Sequence, residues 1–78
     1  MTTSRTQGVA NARKLLRTFA SAPDARRRAQ EFHQALARIS ELTTAERADV
    51  AALADWLRQH PVVGQLKPRC EVLLARLT

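Results

Sequence analysis

A chain of 78 residues, 45% apolar and 26% charged with a formal net charge of +6, fits one domain, since domains commonly take about 100–200 residues. Its one cysteine cannot close an internal disulfide, which excludes a stapled secreted mini-domain. The longest apolar run, Val50 to Ala54, stops at Asp55, far short of the ~20 residues of a spanning helix, so no membrane partner and a cytoplasmic location are expected.

Ala (14), Leu (10) and Arg (11) dominate the composition, and all three lose little side-chain freedom in a helix. Five Val, one Ile and three aromatics are a poor stock for a sheet. The expected fold is therefore all-α, a small bundle of four short helices. Its stock of 21 larger apolar residues is modest, because chains below about 70–80 residues rarely gain more than ~3–5 kcal/mol from one core. A homo-oligomer or a hetero-complex would help such a chain.

In chain order, residues 1–7 are polar and aperiodic and read as a flexible N-terminal arm, with residues 8–78 as a single helical domain. The first helix is predicted over 8–20. Val9, Ala12, Leu15, Leu16 and Phe19 fall on one arc at 100° per residue, and Arg13, Lys14 and Arg17 lie outside it. Ser21-Ala22-Pro23-Asp24 carries a start signal for the second helix, with Ser21 as cap and Pro23 in the first turn. That helix is predicted over 23–41. Its stripe is Ala25, Ala29, Phe32, Leu36 and Ile39, and Arg26, Arg27, Gln30, Gln34 and Arg38 face away.

Thr43-Thr44-Ala45-Glu46 matches a capping box and opens a third helix over 44–59, with Val50, Leu53 and Leu57 inward and Trp56 at the stripe's edge. Pro61 ends it, because His60 before a proline is disfavoured in the right-handed helical region. Residues 62–65 read as a turn or one loose helical turn. Pro68 suits the start of a fourth helix over 68–77, whose face is Leu66, Cys70, Leu73, Leu74 and Leu77.

The charge is uneven: residues 1–39 hold eight basic and two acidic residues, and residues 40–78 hold five of each. All the excess lies in the first half. Arg13, Lys14 and Arg17, with Arg26, Arg27 and Arg28, form the candidate surface for an anionic partner, either nucleic acid or an acidic protein face. The four-residue spacing of Arg27 and Glu31 partly neutralises that charge. Against this stands the plain reading of a basic surface that keeps a small protein in solution.

Few groups for catalysis converge. Cys70 with His33 or His60 would be the available nucleophile pair, but Cys70 occupies a stripe position where a small buried hydrophobe belongs. The two histidines and the cysteine lack the close paired spacing of a zinc site, and Gly8 and Gly64 do not make a phosphate loop. No enzyme activity, metal or cofactor is expected. Phe19 and Phe32 sit in stripes, so base-stacking platforms are not expected. A helix-turn-helix across the third and fourth helices is disfavoured by its long, proline-rich turn and neutral charge.

The first 22 residues, free of acids before Asp24 and rich in Arg, Ser and Thr, also fit a transit-segment pattern, although their helix supplies stripe residues that a small core needs. The rival function is a protein–protein adaptor, or an inhibitor of the phage or plasmid type. There Trp56, Val62 and Val63 would form the protein interface, and the charge would steer approach. The plainer role of Trp56 is to cover the core.

Overall fold

The computed structural model describes residues 4–19 and 24–78. They form four helices, α1 (Arg5–Thr18), α2 (Ala25–Ala37), α3 (Thr44–Arg58) and α4 (Val63–Leu77). No strand occurs among the described residues, so the expected all-α bundle is what forms.

The helix ends depart from the predicted ones for local reasons. The first helix begins at Arg5 rather than Gly8, because Ser4 caps it: the Gln7 N–H donates to Ser4 Oγ at 3.2 Å. Residues 4–7 are thus not part of a loose arm, and Met1 to Thr3 lie outside the described residues. The predicted cap Ser21 and first-turn Pro23 also lie outside them. Asp24 stands at the N-cap of α2 without a side-chain hydrogen bond.

Helix α2 ends at Ala37 rather than Glu41. The Ile39 N–H closes a tight turn on the Leu36 carbonyl at 3.1 Å, and the Ile39 side chain is buried beside Gly8 of α1. A Cβ on Gly8 would stand 2.2 Å from Ile39 Cγ1. The missing side chain therefore lets the start of α1 approach the end of α2, which makes these two helices antiparallel.

The capping box forms as predicted. Thr43 Oγ1 accepts from the Glu46 N–H at 3.1 Å, and Glu46 Oε1 accepts from the Thr43 N–H at 2.9 Å. Helix α3 stops at Arg58, and His60 takes φ 53°. A left-handed residue just past a helix end is a common stop, usually filled by glycine. Helix α4 then begins at Val63, so Pro68 lies inside it rather than at its start. An interior proline costs ~3 kcal/mol or more. The carbonyl it leaves unpaired by the α-helical pattern belongs to Gly64, which is exposed to water. Starting the helix early places Leu66 fully in the core, one turn before Cys70. Burying a leucine gains about 1.5–3 kcal/mol, which offsets much of that cost.

One core draws on all four helices. Val9, Ala12, Leu16 and Phe19 meet Ala25, Ala29, Phe32, Leu36 and Ile39, and then Val50, Leu53, Leu66, Cys70, Leu73, Leu74 and Leu77. Leu15 and Leu57 are only partly buried against it. Helices α2 and α4 each touch the other three, and the outward face of α2 lies between its grooves with α1 and with α3. Helices α3 and α4 are antiparallel. Arg76 reaches Asp49 at 3.4 Å near one end, and the Arg69 guanidinium lies 5.5 Å from the Trp56 ring centre nearer the other. None of the four helices is long and apolar enough to cross a membrane.

Candidate anion-binding face

The six basic residues singled out in the sequence lie on α1 and α2, yet they do not form one cluster. Arg13, Lys14 and Arg17 are exposed on α1. Arg13 belongs to a shallow recess with Arg5, Thr6, Val9 and Leu77, at the seam of α1 with α4. Lys14 lines the groove between α1 and α2, opposite Gln34 and Arg38. A charge facing α4 and a charge facing α2 address different directions.

On α2 the three consecutive arginines also separate. Arg27 Nε lies 3.8 Å from Glu31 Oε1, and Arg28 Nη1 lies 3.3 Å from Glu31 Oε2. One carboxylate thus faces two guanidiniums, and Arg28 is half-buried while Arg27 is exposed. Arg26 forms no ion pair among the described residues. It lines the groove between α2 and α3, together with His33, Arg58 and His60. Arg26, Arg27, Gln30, Gln34 and Arg38 are all exposed, so the outward crest of α2 is as predicted. That crest runs between the two grooves, with Lys14 on one flank and Arg58 on the other.

Arg38, Arg58, His33 and His60 were not among the predicted site residues. Arg38 had a signal, since it faces away from the α2 stripe. Arg58 and His60 come from the end of α3, and only packing places them against α2. His33 is half-buried, and its imidazole is held below its usual range by burial and then by the nearby charge of Arg58.

The residues proposed for a protein interface are placed differently from one another. Trp56 is half-buried, packs on the core and is covered by Arg69. Val62 and Val63 are 68% and 48% exposed at the start of α4. Cys70 is fully buried, and burial pushes its thiol up to about 12. A thiolate is the reactive form, so this cysteine behaves as a core residue. No group of three or more His, Cys, Asp or Glu suited to a metal occurs among the described residues.

The chain matches no protein-family model, and neither the curated proteins nor the solved structures contain a significant match to it.

Proposed function

We propose that this chain is a small non-catalytic accessory or regulatory protein, acting in the cytoplasm, that docks on nucleic acid through the outward face of α1 and α2. The observation that carries this reading is the crest of α2. Arg26, Arg27, Gln30, Gln34 and Arg38 are exposed along one helix, and Lys14 and Arg58 flank them. Glu31 interrupts this surface beside Arg27 and Arg28, and Asp55 pairs with Arg58 on its flank. Such a face suits a regular line of phosphates, because phosphate contacts release counterions and require no base reading. An acidic protein face is the alternative anionic partner.

The test is fluorescence anisotropy of labelled duplex DNA and RNA across a salt series, with the full chain and with Lys14, Arg26 and Arg38 each changed to alanine. The logarithm of affinity falls linearly with the logarithm of salt, and each alanine lowers the slope by about one. A salt-independent response overturns the reading. Capture from cell extract with and without nuclease then separates nucleic acid from an acidic protein.

A second reading rests on the exposure of Val62 and Val63. Two adjacent valines at a helix start fit an adaptor or inhibitor interface, or a contact between copies of this chain. Under that reading Val62→Asp and Val63→Asp abolish complex formation, and the α2 arginine changes leave it intact.

A further inference from the structure

We propose that the groove between α2 and α3 is a binding site for a nucleoside monophosphate. The groove has a cavity volume of about 480 Å³, within the size range of small-ligand sites. Arg26 and His33 line it from α2, with Arg58 from α3 and His60 just beyond α3. No carboxylate lines it, although the half of the chain that supplies Arg58 and His60 has as many acids as bases. Two guanidiniums and two imidazoles from facing elements are all donors to an anion, and Arg26 among them has no carboxylate partner among the described residues, while Arg58 is paired with Asp55.

The local backbone sets up this convergence. Arg26 lies in the first turn of α2, and Arg58 is the last residue of α3, so the two helix ends meet at one end of the groove. Their partial charges, roughly +0.5 and −0.5, are opposed, and Asp55 offsets the charge of Arg58, which leaves Arg26 to set the sign of the field. Arg58 Nη1 is held by Asp55 at 2.9 Å, yet its side chain is 78% exposed. Asp55 takes one N–H of this guanidinium, and its other donors are left for a ligand. His60 joins the site through its left-handed backbone at φ 53°, which a residue other than glycine adopts uncommonly.

The remainder of the lining narrows the ligand class. Gln30 and Gln34 present carboxamides from α2, and Ala54 and Leu57 present an apolar strip from α3. Carboxamides donate and accept together, as a base edge does, and the strip suits a flat ring. A phosphate between Arg26 and Arg58, with a base along Ala54 and Leu57, uses both parts of the groove. The site shares Arg26, Arg58, Gln30 and Gln34 with the surface proposed to dock on polyanions, whereas Lys14 and Arg38 line the other groove, so changes at those two residues separate the readings.

The test is a titration of the ¹⁵N-labelled full chain with adenosine 5′-monophosphate, inorganic phosphate and adenosine, followed by amide chemical shifts. The nucleotide gives saturable shifts at Gln30, His33, Ala54, Leu57 and Arg58, inorganic phosphate gives weaker ones, and adenosine gives none. Arg58→Ala weakens nucleotide binding by about tenfold, the order set by loss of one hydrogen bond to a charged group. His33→Gln weakens it as well. Lys14→Ala, in the other groove, leaves nucleotide binding unchanged even where it lowers affinity for duplex DNA. Retained dispersion of the amide spectrum confirms that each variant is folded. Absence of saturable shifts in the groove overturns the proposal, as does an Arg58→Ala chain that binds the nucleotide as the parent does, or adenosine binding as tightly as its monophosphate.

Discussion

Arg5 and Glu46, 41 positions apart, form a two-pronged ion pair that joins α1 to α3. Arg5 Nη1 donates to Glu46 Oε1 at 2.8 Å while Nη2 engages Oε2. Arg5 Nη2 also donates to the Leu77 carbonyl at 3.0 Å, so its positive charge stands at the negative end of α4. Glu46 stands in the first turn of α3, where a negative charge is favoured, and its Oε1 also accepts from the Thr43 N–H. One guanidinium therefore ties the start of α1, the start of α3 and the end of α4.

That contact predicts an acid limit to stability. The Arg5 guanidinium, and after it the Thr43 N–H, hold the Glu46 carboxyl down to about 2, against an ordinary 4.5. A carboxyl lowered in the folded state contributes stability that is complete above its ordinary value, and this is lost as pH falls towards the folded value. Melting temperature by circular dichroism therefore falls between pH 4.5 and 2. Glu46→Gln lowers it at neutral pH and flattens that acid limb.

A second and milder step belongs to His33. Burial first, and Arg58 second, hold its imidazole below the ordinary 6.5, so folding favours the neutral ring. The sign is again that of a lowered group, with stability complete above 6.5 and declining as pH falls towards the folded value. The ring shares one groove with Arg26, Arg58 and His60 and another with Arg47, and of these Arg58 opposes its protonation. His33→Gln removes the limb just below pH 6.5 and leaves the Glu46 limb in place.

The core was legible because its residues repeat at helical spacing. Every buried apolar residue from Val9 to Leu77 belongs to one of the four predicted stripes, and Leu15 and Leu57 of those stripes stop at partial burial. Relations between elements were not legible. Arg5 looked like part of an arm because an arginine before a helix has no local partner, and its partners lie 41 and 72 positions away. Ile39 kept the α2 rhythm although it lies beyond the helix, since its burial follows from the gap at Gly8. Pro68 read as a helix start because local preference favours that position, and burial of Leu66 overrides it. The basic residues were visible as a composition, but which way each faces depends on which helix packs beside it.

The Gly8–Ile39 contact predicts a reversal of an ordinary trend. Glycine to alanine in a helix interior usually stabilises by about 1 kcal/mol. At Gly8 the new methyl group would stand 2.2 Å from Ile39 Cγ1 and 2.5 Å from its Cδ1. Ile39 is 1% exposed, so it yields only by displacing the core, and overpacking of this kind costs about 1–3 kcal/mol. Gly8→Ala therefore lowers the urea midpoint, and the loss it causes shrinks in an Ile39→Ala background, where both clashing carbons are gone.

Cys70 predicts a chemical signature of the fold. Its thiol is fully buried and pushed up to about 12, so the native chain at pH 8 resists iodoacetamide. Labelling then proceeds only through opening, and its rate rises with urea in step with loss of helical signal. Cys70→Ser places a hydroxyl at the same site, where an unsatisfied buried polar group costs about 1–3 kcal/mol, whereas Cys70→Ala is milder.

Glu31 offers a gain-of-function test of the docking face. Its carboxylate stands between Arg27 and Arg28, so it neutralises part of the charge that α2 presents. Exposed ion pairs contribute only about 0–1 kcal/mol to stability, so Glu31→Gln leaves the fold intact. It removes one negative charge from the groove shared with Lys14 and Arg38 and releases two guanidiniums to an incoming phosphate. Affinity for duplex DNA rises, and the salt slope steepens by up to about two if both arginines gain a phosphate. An unchanged slope in Glu31→Gln, beside a reduced slope in Lys14→Ala, would move the phosphate contacts from the start of α2 to the α1 flank.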